Sequence, residues 1–339
     1  MFARPRPARL AAGAAALLAL SACSGTGGDE DAGAADGGGD FQTVTIEHAF
    51  GTTEITKQPQ DVVTLGWGSA EAAIALDVVP VGIEAQTYAA DEEGRLPWVA
   101  EALEEAGAEP TMIPATVEEP AYEDIGALEP DLILAPYSGL TEEQYELLSQ
   151  IAPTVAYPEE PWTTPWREVI ATVGAALGKD TEATALVEEI DGQIQAAAEA
   201  HPELEGKSVA AVWDVGGTFY VYKPQDARVD FLLDLGLVSA PAVEELATDE
   251  ETFVYSLSYE ETDRLESDIL VNYASTEAEV DTFLGQSYAQ TIPAVQSGAV
   301  ANITGDELIA AMSPPTALSV TWGLDTYVDA IAAAAAKVR

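Results

Sequence analysis

Short aliphatic runs alternate with amphipathic segments along residues 41–339, and this alternation constrains the fold more than any other feature of the chain. The runs have the composition of buried strands and lie at residues 62–65, 78–83, 132–135, 154–157, 209–213, 269–273 and 299–303. Segments with apolar residues at helical spacing lie between them, most clearly at 69–76, 97–106, 141–149, 228–235, 259–265 and 323–337. Because strands and helices alternate, we expect an α/β fold class with mainly parallel sheets flanked by helices.

The length of the chain after residue 40 predicts two lobes. Roughly 300 residues remain there, which suits two compact units better than one minimal domain. We assign residues 41–163 to an N-terminal lobe, 164–200 to an interlobe helix and 201–339 to a C-terminal lobe. The interlobe segment favours helix except near Gly178, and one helix of about 35 residues would form a stiff strut on the order of 50 Å long. Two consecutive packed helices broken at Gly178 are the alternative.

The first 22 residues have the three parts of an export signal. Three arginines precede an apolar core at residues 10–20, and small residues follow before Cys23. This core is too short to cross a bilayer, because a spanning helix needs about 20 apolar residues. We therefore expect residues 1–22 to be a cleaved signal peptide.

Cys23 is the only cysteine of the chain, so it cannot form an internal disulfide. The segment Leu20-Ser21-Ala22-Cys23 resembles the bacterial lipobox. That resemblance implies that Cys23 is acylated, by palmitate among other chains, and anchors the protein on the extracytoplasmic face of the cell membrane. Residues 23–40 are rich in Gly and Asp and predict a flexible tether. An ordinary signal peptide is the alternative, and the abundance of Ala, Glu and Asp suits a Gram-positive, actinobacterial cell surface.

The charge of the chain excludes some partners. It has 59 acidic and 13 basic residues, for a formal net charge of −46. Nucleic acids and anionic membrane surfaces are recognised by clustered Lys and Arg. We therefore expect neither as a direct partner, and we expect the only membrane contact to be through the lipid anchor.

Four segments together resemble a known family. They are residues 44–83, with an opening hairpin and the first strand-helix-strand, YEDIGALEPDLILA at 122–135, RVDFLLDLGL at 228–237 and SYEETDRLESDILVNY at 258–273. Their order and spacing resemble the class III periplasmic binding proteins, which supply iron-siderophore, haem and vitamin B12 ABC importers. The resemblance implies two lobes joined by a single long helix. It also implies that the protein captures a ferric siderophore and delivers it to the permease, and so indirectly to the ATPase, of an ABC importer.

A ligand cleft would lie between the two lobes. Open α/β sheets bind ligands at the carboxyl ends of their strands, so two such sheets would enclose a cleft lined by strand-end loops. This placement assigns ligand-binding roles to Trp67, Gln86, Tyr88, Tyr137, Ser138, Trp213, Asn272 and Tyr273. Tyr220, Tyr222 and Arg228 are added because they flank the predicted second-lobe hairpin and the helix that follows it. Aromatic walls with a few polar donors suit a bulky chelate.

Four of the six tryptophans divide into two groups. Trp67 follows the first strand between two glycines, which would let the backbone and a ligand approach closely. Trp98, Trp166 and Trp322 instead have helical spacing, and we predict core positions for them.

Arg228 is the most informative charge of the predicted cleft. Catecholate and carboxylate siderophores are anionic when ferric, and arginine forks suit such ligands. Because the chain has few bases, we favour a hydroxamate or mixed hydroxamate siderophore, whose ferric complex has little negative charge. Pairing of Arg228 with Asp230 or another acid is the alternative role.

The family resemblance also implies a permease-docking surface. In that family, one glutamate on the outer rim of each lobe docks against arginines of the membrane subunits. The matching motifs are Tyr122-Glu123-Asp124-Ile125 and Ser258-Tyr259-Glu260-Glu261, so Glu123 and Glu260 are assigned this role. The alternative is that each glutamate only stabilises a helix N-terminus.

The sequence contains no catalytic motif. His48 and His201 are its only histidines, and neither has Cys or acidic neighbours at metal-ligand spacing. It has no Gly-x-Ser-x-Gly elbow and no phosphate-binding loop. We therefore predict a binding protein that is not an enzyme and has neither a cofactor nor direct metal ligands. We also expect it to be a monomer.

Two other functions stay open from the sequence. The first is haem or cobalamin binding within the same family, with Tyr88, Tyr137 and Tyr273 as candidate haem ligands. The second is a surface adhesin or a carbohydrate-active enzyme that uses the same α/β scaffold.

Overall fold

The computed structural model describes residues 41–115, 119–247 and 253–338. The predicted signal peptide, the predicted acylation site Cys23 and the predicted tether lie outside the described residues. No helix within the described residues combines the length and the apolar character needed to cross a membrane.

The N-terminal lobe is built on a five-stranded parallel sheet with the strand order β5-β4-β3-β6-β7. An antiparallel hairpin, β1 (Val44–His48) with β2 (Gly51–Ile55), precedes this sheet. The sheet strands are β3 (Val62–Thr64), β4 (Gly82–Glu84), β5 (Thr111–Ile113), β6 (Leu132–Leu134) and β7 (Thr154–Val155). The helices are α1 (Ser69–Ala75), α2 (Pro97–Ala106), α3 (Tyr122–Ala127) and α4 (Glu142–Leu148).

Local sequence signals explain where these elements begin and end. The central strands β3 and β6 are entirely buried, as expected for aliphatic runs in a parallel sheet covered on both faces. Helix α2 begins with Pro97 and ends at Gly107, which adopts the left-handed conformation that favours glycine. Helix α4 begins with a capping box between Thr141 and Gln144. The run predicted at 78–83 forms a strand only from Gly82, because the amide of Val78 still bonds to the carbonyl of Ala73 in α1.

The segment between the lobes is two helices rather than one. Helix α5 (Trp166–Ala176) ends before Gly178, which has a φ of 67°, and α6 (Asp180–Ala200) then begins. The two helices pack so closely that a β-carbon at Gly174 would overlap the side chain of Ala183. The alternative of two packed helices broken at Gly178 is therefore the arrangement that the structure has, and the single strut was wrong.

The C-terminal lobe is built on a six-stranded mixed sheet. Its main path is β11-β9-β8-β12-β13, with β10 pairing with the start of β8. The strands are β8 (Ser208–Val215), β9 (Thr218–Tyr222), β10 (Val238–Ser239), β11 (Val254–Leu257), β12 (Ile269–Ala274) and β13 (Val300–Thr304). The helices are α7 (Ala227–Asp234), α8 (Pro241–Leu246), α9 (Glu277–Gly285), α10 (Pro293–Ser297), α11 (Asp306–Ala311) and α12 (Ser319–Ala335).

One predicted helix of this lobe is absent from the described residues. Residues 259–265 form only a 3₁₀ turn at Thr262–Arg264. The hydroxyl of Thr262 donates to the carbonyls of Tyr259 (3.2 Å) and Tyr288 (2.9 Å), and bonds of this kind compete with a helical backbone.

The cores of the two lobes are continuous. Buried residues of α5, α6 and α12, among them Ile170, Ile190 and Tyr327, belong to one apolar cluster that reaches both sheets. Both the α/β class and the two-lobed arrangement are therefore as predicted. A shared core of this kind resists large rotations of one lobe against the other, because packed interiors deform little.

Candidate functional site

A cleft with a volume of about 470 Å³ lies between the two lobes. On the N-terminal side it is lined by Tyr137, which follows β6, and by the loop of residues 160–166 after β7. On the C-terminal side it is lined by the start of α7 around Arg228. On the N-terminal side, the cleft therefore lies at the carboxyl ends of β6 and β7, where a ligand was expected. Its C-terminal wall instead follows β9, which runs antiparallel to β8.

Arg228 is held in the cleft wall by an acid two residues before it. Asp226 caps α7 by accepting the backbone N–H of Arg228 (2.9 Å), and it also accepts a guanidinium N–H (2.7 Å). The guanidinium stacks on the ring of Tyr222, 4.3 Å from its centroid, and the side chain is only 18% exposed. The partner of Arg228 is thus Asp226 and not Asp230.

This pairing neutralises the only base of the described cleft lining. Burial alone would lower the pKa of the Arg228 guanidinium, but the Asp226 carboxylate and the nearby Tyr222 and Tyr273 oxygens raise it, so the side chain stays charged. Burial raises the pKa of Asp226, although Arg228 opposes the shift. The other charged lining residues are Glu160 and Asp230, both exposed acids. The described wall therefore has net negative charge.

Tyr137 faces Arg228 from the N-terminal lobe. Burial, and then the charge of Asp226, raise the pKa of the Tyr137 phenol to about 12, and Arg228 opposes this shift. The phenol is therefore neutral at physiological pH and can both donate and accept hydrogen bonds.

Trp162 is a cleft residue that the sequence analysis did not identify. It lines the cleft, is 47% exposed and has a φ of 61°, a conformation that is uncommon for a tryptophan. Its ring contacts Tyr137 with centroids 5.7 Å apart, and a β-carbon at Gly139 would overlap the indole. The strand-end argument, applied also to the strand at 154–157, would have drawn attention to this loop.

Trp67, Gln86 and Ser138 lie beside the cleft on the N-terminal lobe. Trp67 and Tyr137 both line a narrow cavity of about 10 Å³, and the Trp67 amide donates to the Tyr137 carbonyl (3.2 Å). The Gln86 amide donates to the carbonyl of Glu84 (3.3 Å), and the buried Ser138 hydroxyl donates to the carbonyl of Ala135 (2.8 Å).

Tyr88 spans the two lobes. Its hydroxyl donates to Asp306 at the start of α11 (3.2 Å), and burial followed by the charge of Asp306 raises the pKa of Tyr88. The structure therefore gives this hydroxyl a partner in the opposite lobe.

The second-lobe residues behind Arg228 are mostly interior. Asn272 and Tyr273 are each 1% exposed, with Asn272 bonded to Asn302 (2.9 Å) and the Tyr273 hydroxyl bonded to that of Tyr327 (2.8 Å). Both residues lie within β12 rather than in the loop after it, so they do not reach the cleft surface.

Three further aromatic residues surround this interior. Tyr222 is buried under Arg228, while Trp213 and Tyr220 are half-buried on the neighbouring strands. Among the eleven residues assigned from the sequence, Tyr137 and Arg228 are those that line the described cleft.

The tryptophans predicted to be core are mainly interior. Trp98 is buried, donates to Glu71 (3.2 Å) and packs against the half-buried Trp322 with ring centroids 5.4 Å apart. Trp166 is 4% exposed, although its edge borders the cleft.

Glu123 and Glu260 are both exposed. Glu123 is the second residue of α3, and Glu260 lies in the turn before Thr262–Arg264. The neighbouring Tyr259 fixes this turn by donating to Asp214 (2.8 Å). Among the described residues, no group of three or more His, Cys, Asp and Glu side chains could hold a metal ion.

Comparisons with known proteins place this architecture in a family. The model of the periplasmic binding protein family matches residues 62–307. PiaA of Streptococcus pneumoniae, solved in complex with ferrichrome, has a TM-score of 0.79 and 32% identity, covering 87% of this chain and 100% of that one. A periplasmic solute binding protein of Mycobacterium smegmatis has a TM-score of 0.74 and 27% identity, covering 86% and 99%.

The curated relatives match over a shorter part. The Fe(3+) dicitrate-binding periplasmic protein FecB of Escherichia coli is 33% identical over 146 residues, which are 43% of this chain and 46% of FecB. The chain thus matches just under half the length of the curated relatives. Because the family model covers most of the chain, and the fold covers the full length of a solved relative, this protein belongs to the class III periplasmic binding proteins, as predicted, and is a solute-binding protein rather than an enzyme.

Proposed function

We propose that this protein is a lipid-anchored receptor that captures a ferric siderophore of the hydroxamate or mixed hydroxamate type and delivers it to an ABC importer. The observation that carries the proposal is the cleft between the lobes, whose described lining has one base, Arg228, already paired with Asp226. A chelate with little negative charge suits this wall, because such a chelate needs no further basic residue to balance its charge.

The charges of the wall separate the ligand classes. A ferric tricatecholate or ferric dicitrate is anionic and would lie near Glu160 and Asp230 with only the shared charge of Arg228 to balance it. Because like charges repel, these acids disfavour an anionic chelate in the cleft. Hydroxamate carbonyl oxygens instead accept hydrogen bonds, which the Tyr137 hydroxyl and the Arg228 guanidinium can donate.

The similar proteins support a ferric chelate as the ligand class. PiaA was solved with ferrichrome, which is a ferric hydroxamate, and FecB is named for Fe(3+) dicitrate. The negative wall favours the first of these chemistries for this chain.

Haem binding is the less suitable alternative. Haem iron would need an accessible phenolate, but Tyr273 is buried and Tyr88 is bonded to Asp306. The raised pKa of Tyr137, about 12, also opposes its ionisation.

The proposal is tested by the fluorescence of the purified chain, in which Trp162 and Tyr137 would contact the ligand. We expect submicromolar quenching by a ferric trihydroxamate and weaker binding, by about tenfold or more, of a ferric tricatecholate and of ferric dicitrate, because of the charge of the wall. Lack of binding to all three chelates would overturn the proposal, and stronger binding of an anionic chelate would overturn the hydroxamate assignment.

Anchoring at Cys23 is tested in cells. We expect the Cys23→Ser variant to be released into the medium, whereas the unaltered chain stays with the membrane fraction. Membrane association of both forms would contradict lipidation as the anchor.

A further inference from the structure

A second cavity adjoins the cleft on the N-terminal lobe. It has a volume of about 160 Å³ and is lined by Gly66, Glu84, Glu119, Ser138, Gln144 and Trp162, with four further residues. We call it the side pocket. Trp162 lines both the cleft and the side pocket, so the two cavities are neighbours at this residue.

Glu84 provides an available acceptor in the side pocket. It ends β4 and is half-buried, and its Oε2 accepts the backbone N–H of Gly66 (2.7 Å). Its other oxygen accepts no hydrogen bond from the described residues. Burial raises the pKa of Glu84, although the Gly66 amide opposes the shift. A cation bound beside this carboxylate would offset the free-energy cost of burying the ionised form of Glu84.

The other walls suit the same kind of ligand. No Lys or Arg is present among the described residues that line the side pocket. Glu119 contributes a second carboxylate, which also accepts the hydroxyl of Tyr122 (2.9 Å). Trp162, which is 47% exposed, adds an aromatic ring to the lining, and aromatic faces attract ammonium groups.

We propose that the side pocket binds the ammonium group of an aliphatic tail on the ferric chelate, through Glu84, Glu119 and the face of Trp162. The inference rests on the proposed function, because the chelate must occupy the adjoining cleft. If the side pocket binds this ammonium group, the protein should prefer a chelate with a cationic tail over the same chelate with an uncharged tail.

Two ligands that differ only in this charge provide the test. They are a linear ferric trihydroxamate that ends in a primary amine and the same chelate with that amine acetylated. We expect calorimetry in buffer of low ionic strength to show about tenfold tighter binding of the amine form, the effect of one charge-assisted hydrogen bond, with a smaller difference as salt is added.

Substitutions locate the effect. The Glu84→Gln variant keeps an oxygen for the Gly66 amide but loses the charge, so we expect it to weaken binding of the amine form severalfold and to leave the acetylated form unchanged. Glu119→Gln should act in the same direction but more weakly, because Glu119 is exposed. Glu101→Gln, which alters an exposed acid on α2, is the matched control and should change neither affinity.

Each outcome is decisive. Equal affinity of the unaltered protein for the two chelates, or an equal loss for both in Glu84→Gln, would overturn the side pocket as an ammonium site while leaving the proposed function intact. Failure of both chelates to bind would count against the proposed function itself.

Discussion

The ion pair of Arg228 with Asp226 sets both the charge and the stability of the cleft wall. Asp226 is buried, so removing the guanidinium would leave a carboxylate without its partner. We expect Arg228→Ala to lower the free energy of unfolding by about 3 kcal/mol, measured by urea denaturation, since breaking a buried pair costs more than the pair contributes.

The double variant Asp226→Asn with Arg228→Met is the control for this ion pair. It leaves no buried charge, so most of the lost stability should return. An Arg228→Ala variant that unfolds at the same urea concentration as the unaltered protein would contradict this account of the wall.

Glu71 should make stability depend on pH. It is 3% exposed in α1, and burial raises its pKa above the ordinary value despite hydrogen bonds from its own backbone and from Trp98 and Thr316. Because the folded state holds the proton more tightly, this group contributes stability below an unfolded pKa of about 4.3 and loses it as pH rises through the folded pKa.

The Glu71→Gln variant has no carboxyl group at this position, so it does not lose stability by ionisation there as the pH rises. Its amide oxygen can still accept the Trp98 N–H, so we expect it to be more stable than the unaltered protein by about 1 kcal/mol at pH 7.5, with a smaller gain at pH 5. Urea denaturation at both pH values measures the difference. A gain that is larger at pH 5 would contradict the predicted sign.

The site was only partly predictable residue by residue. Arg228 and Tyr137 were identified because strand ends and rare bases are visible in a sequence. Asn272 and Tyr273 were predicted to reach the cleft from the end of a strand at residues 269–273, but the strand continues to Ala274 and both side chains stay in the interior. Trp162 lies in a loop without periodicity, and its exposure depends on packing against Gly139.

The packing of α5 on α6 depends on glycine at position 174. A methyl group there would overlap Ala183, so we expect Gly174→Ala to lower the thermal midpoint and the free energy of unfolding by about 1–3 kcal/mol. Gly192 in α6 has open space around its β-position and is the matched control. Gly192→Ala should stabilise the chain by up to about 1 kcal/mol. Equal effects of the two substitutions would contradict close packing at Gly174.

Elements with strong local signals were predicted best. Helix α2 has the predicted bounds because Pro97 and Gly107 mark its ends. The predicted helix at 259–265 was wrong because the hydroxyl of Thr262 bonds to the carbonyl of Tyr288, which is not near it in sequence. Periodicity alone also could not decide between one long helix with a local break at Gly178 and two helices packed against each other. That choice depends on tertiary packing.

The two-lobed architecture followed from the alternation of strands and helices together with the length of the chain. The charge of the cleft did not, because the sequence left open which acid pairs with Arg228. Three-dimensional contacts were needed to show that Asp226 neutralises it and that Glu160 and Asp230 stay exposed beside it.

Docking on an importer should depend on Glu123 and Glu260 together. We expect the variant with both Glu123→Gln and Glu260→Gln to bind a ferric trihydroxamate normally in solution, because both residues are exposed and neither lines the described cleft. Uptake of the iron by cells should fall by about tenfold or more, since charge complementarity orients such a complex. Glu104→Gln, at an exposed position of α2, is the control, and normal uptake by the double variant would contradict the assigned docking surface.

A crystal structure of the chain grown with a neutral ferric trihydroxamate tests the central claim most directly. We expect the intact chelate between the lobes, with its oxygens near Arg228 and Tyr137 and its flank against Trp162. An empty cleft at saturating chelate, or a chelate bound elsewhere on the surface, would contradict the account.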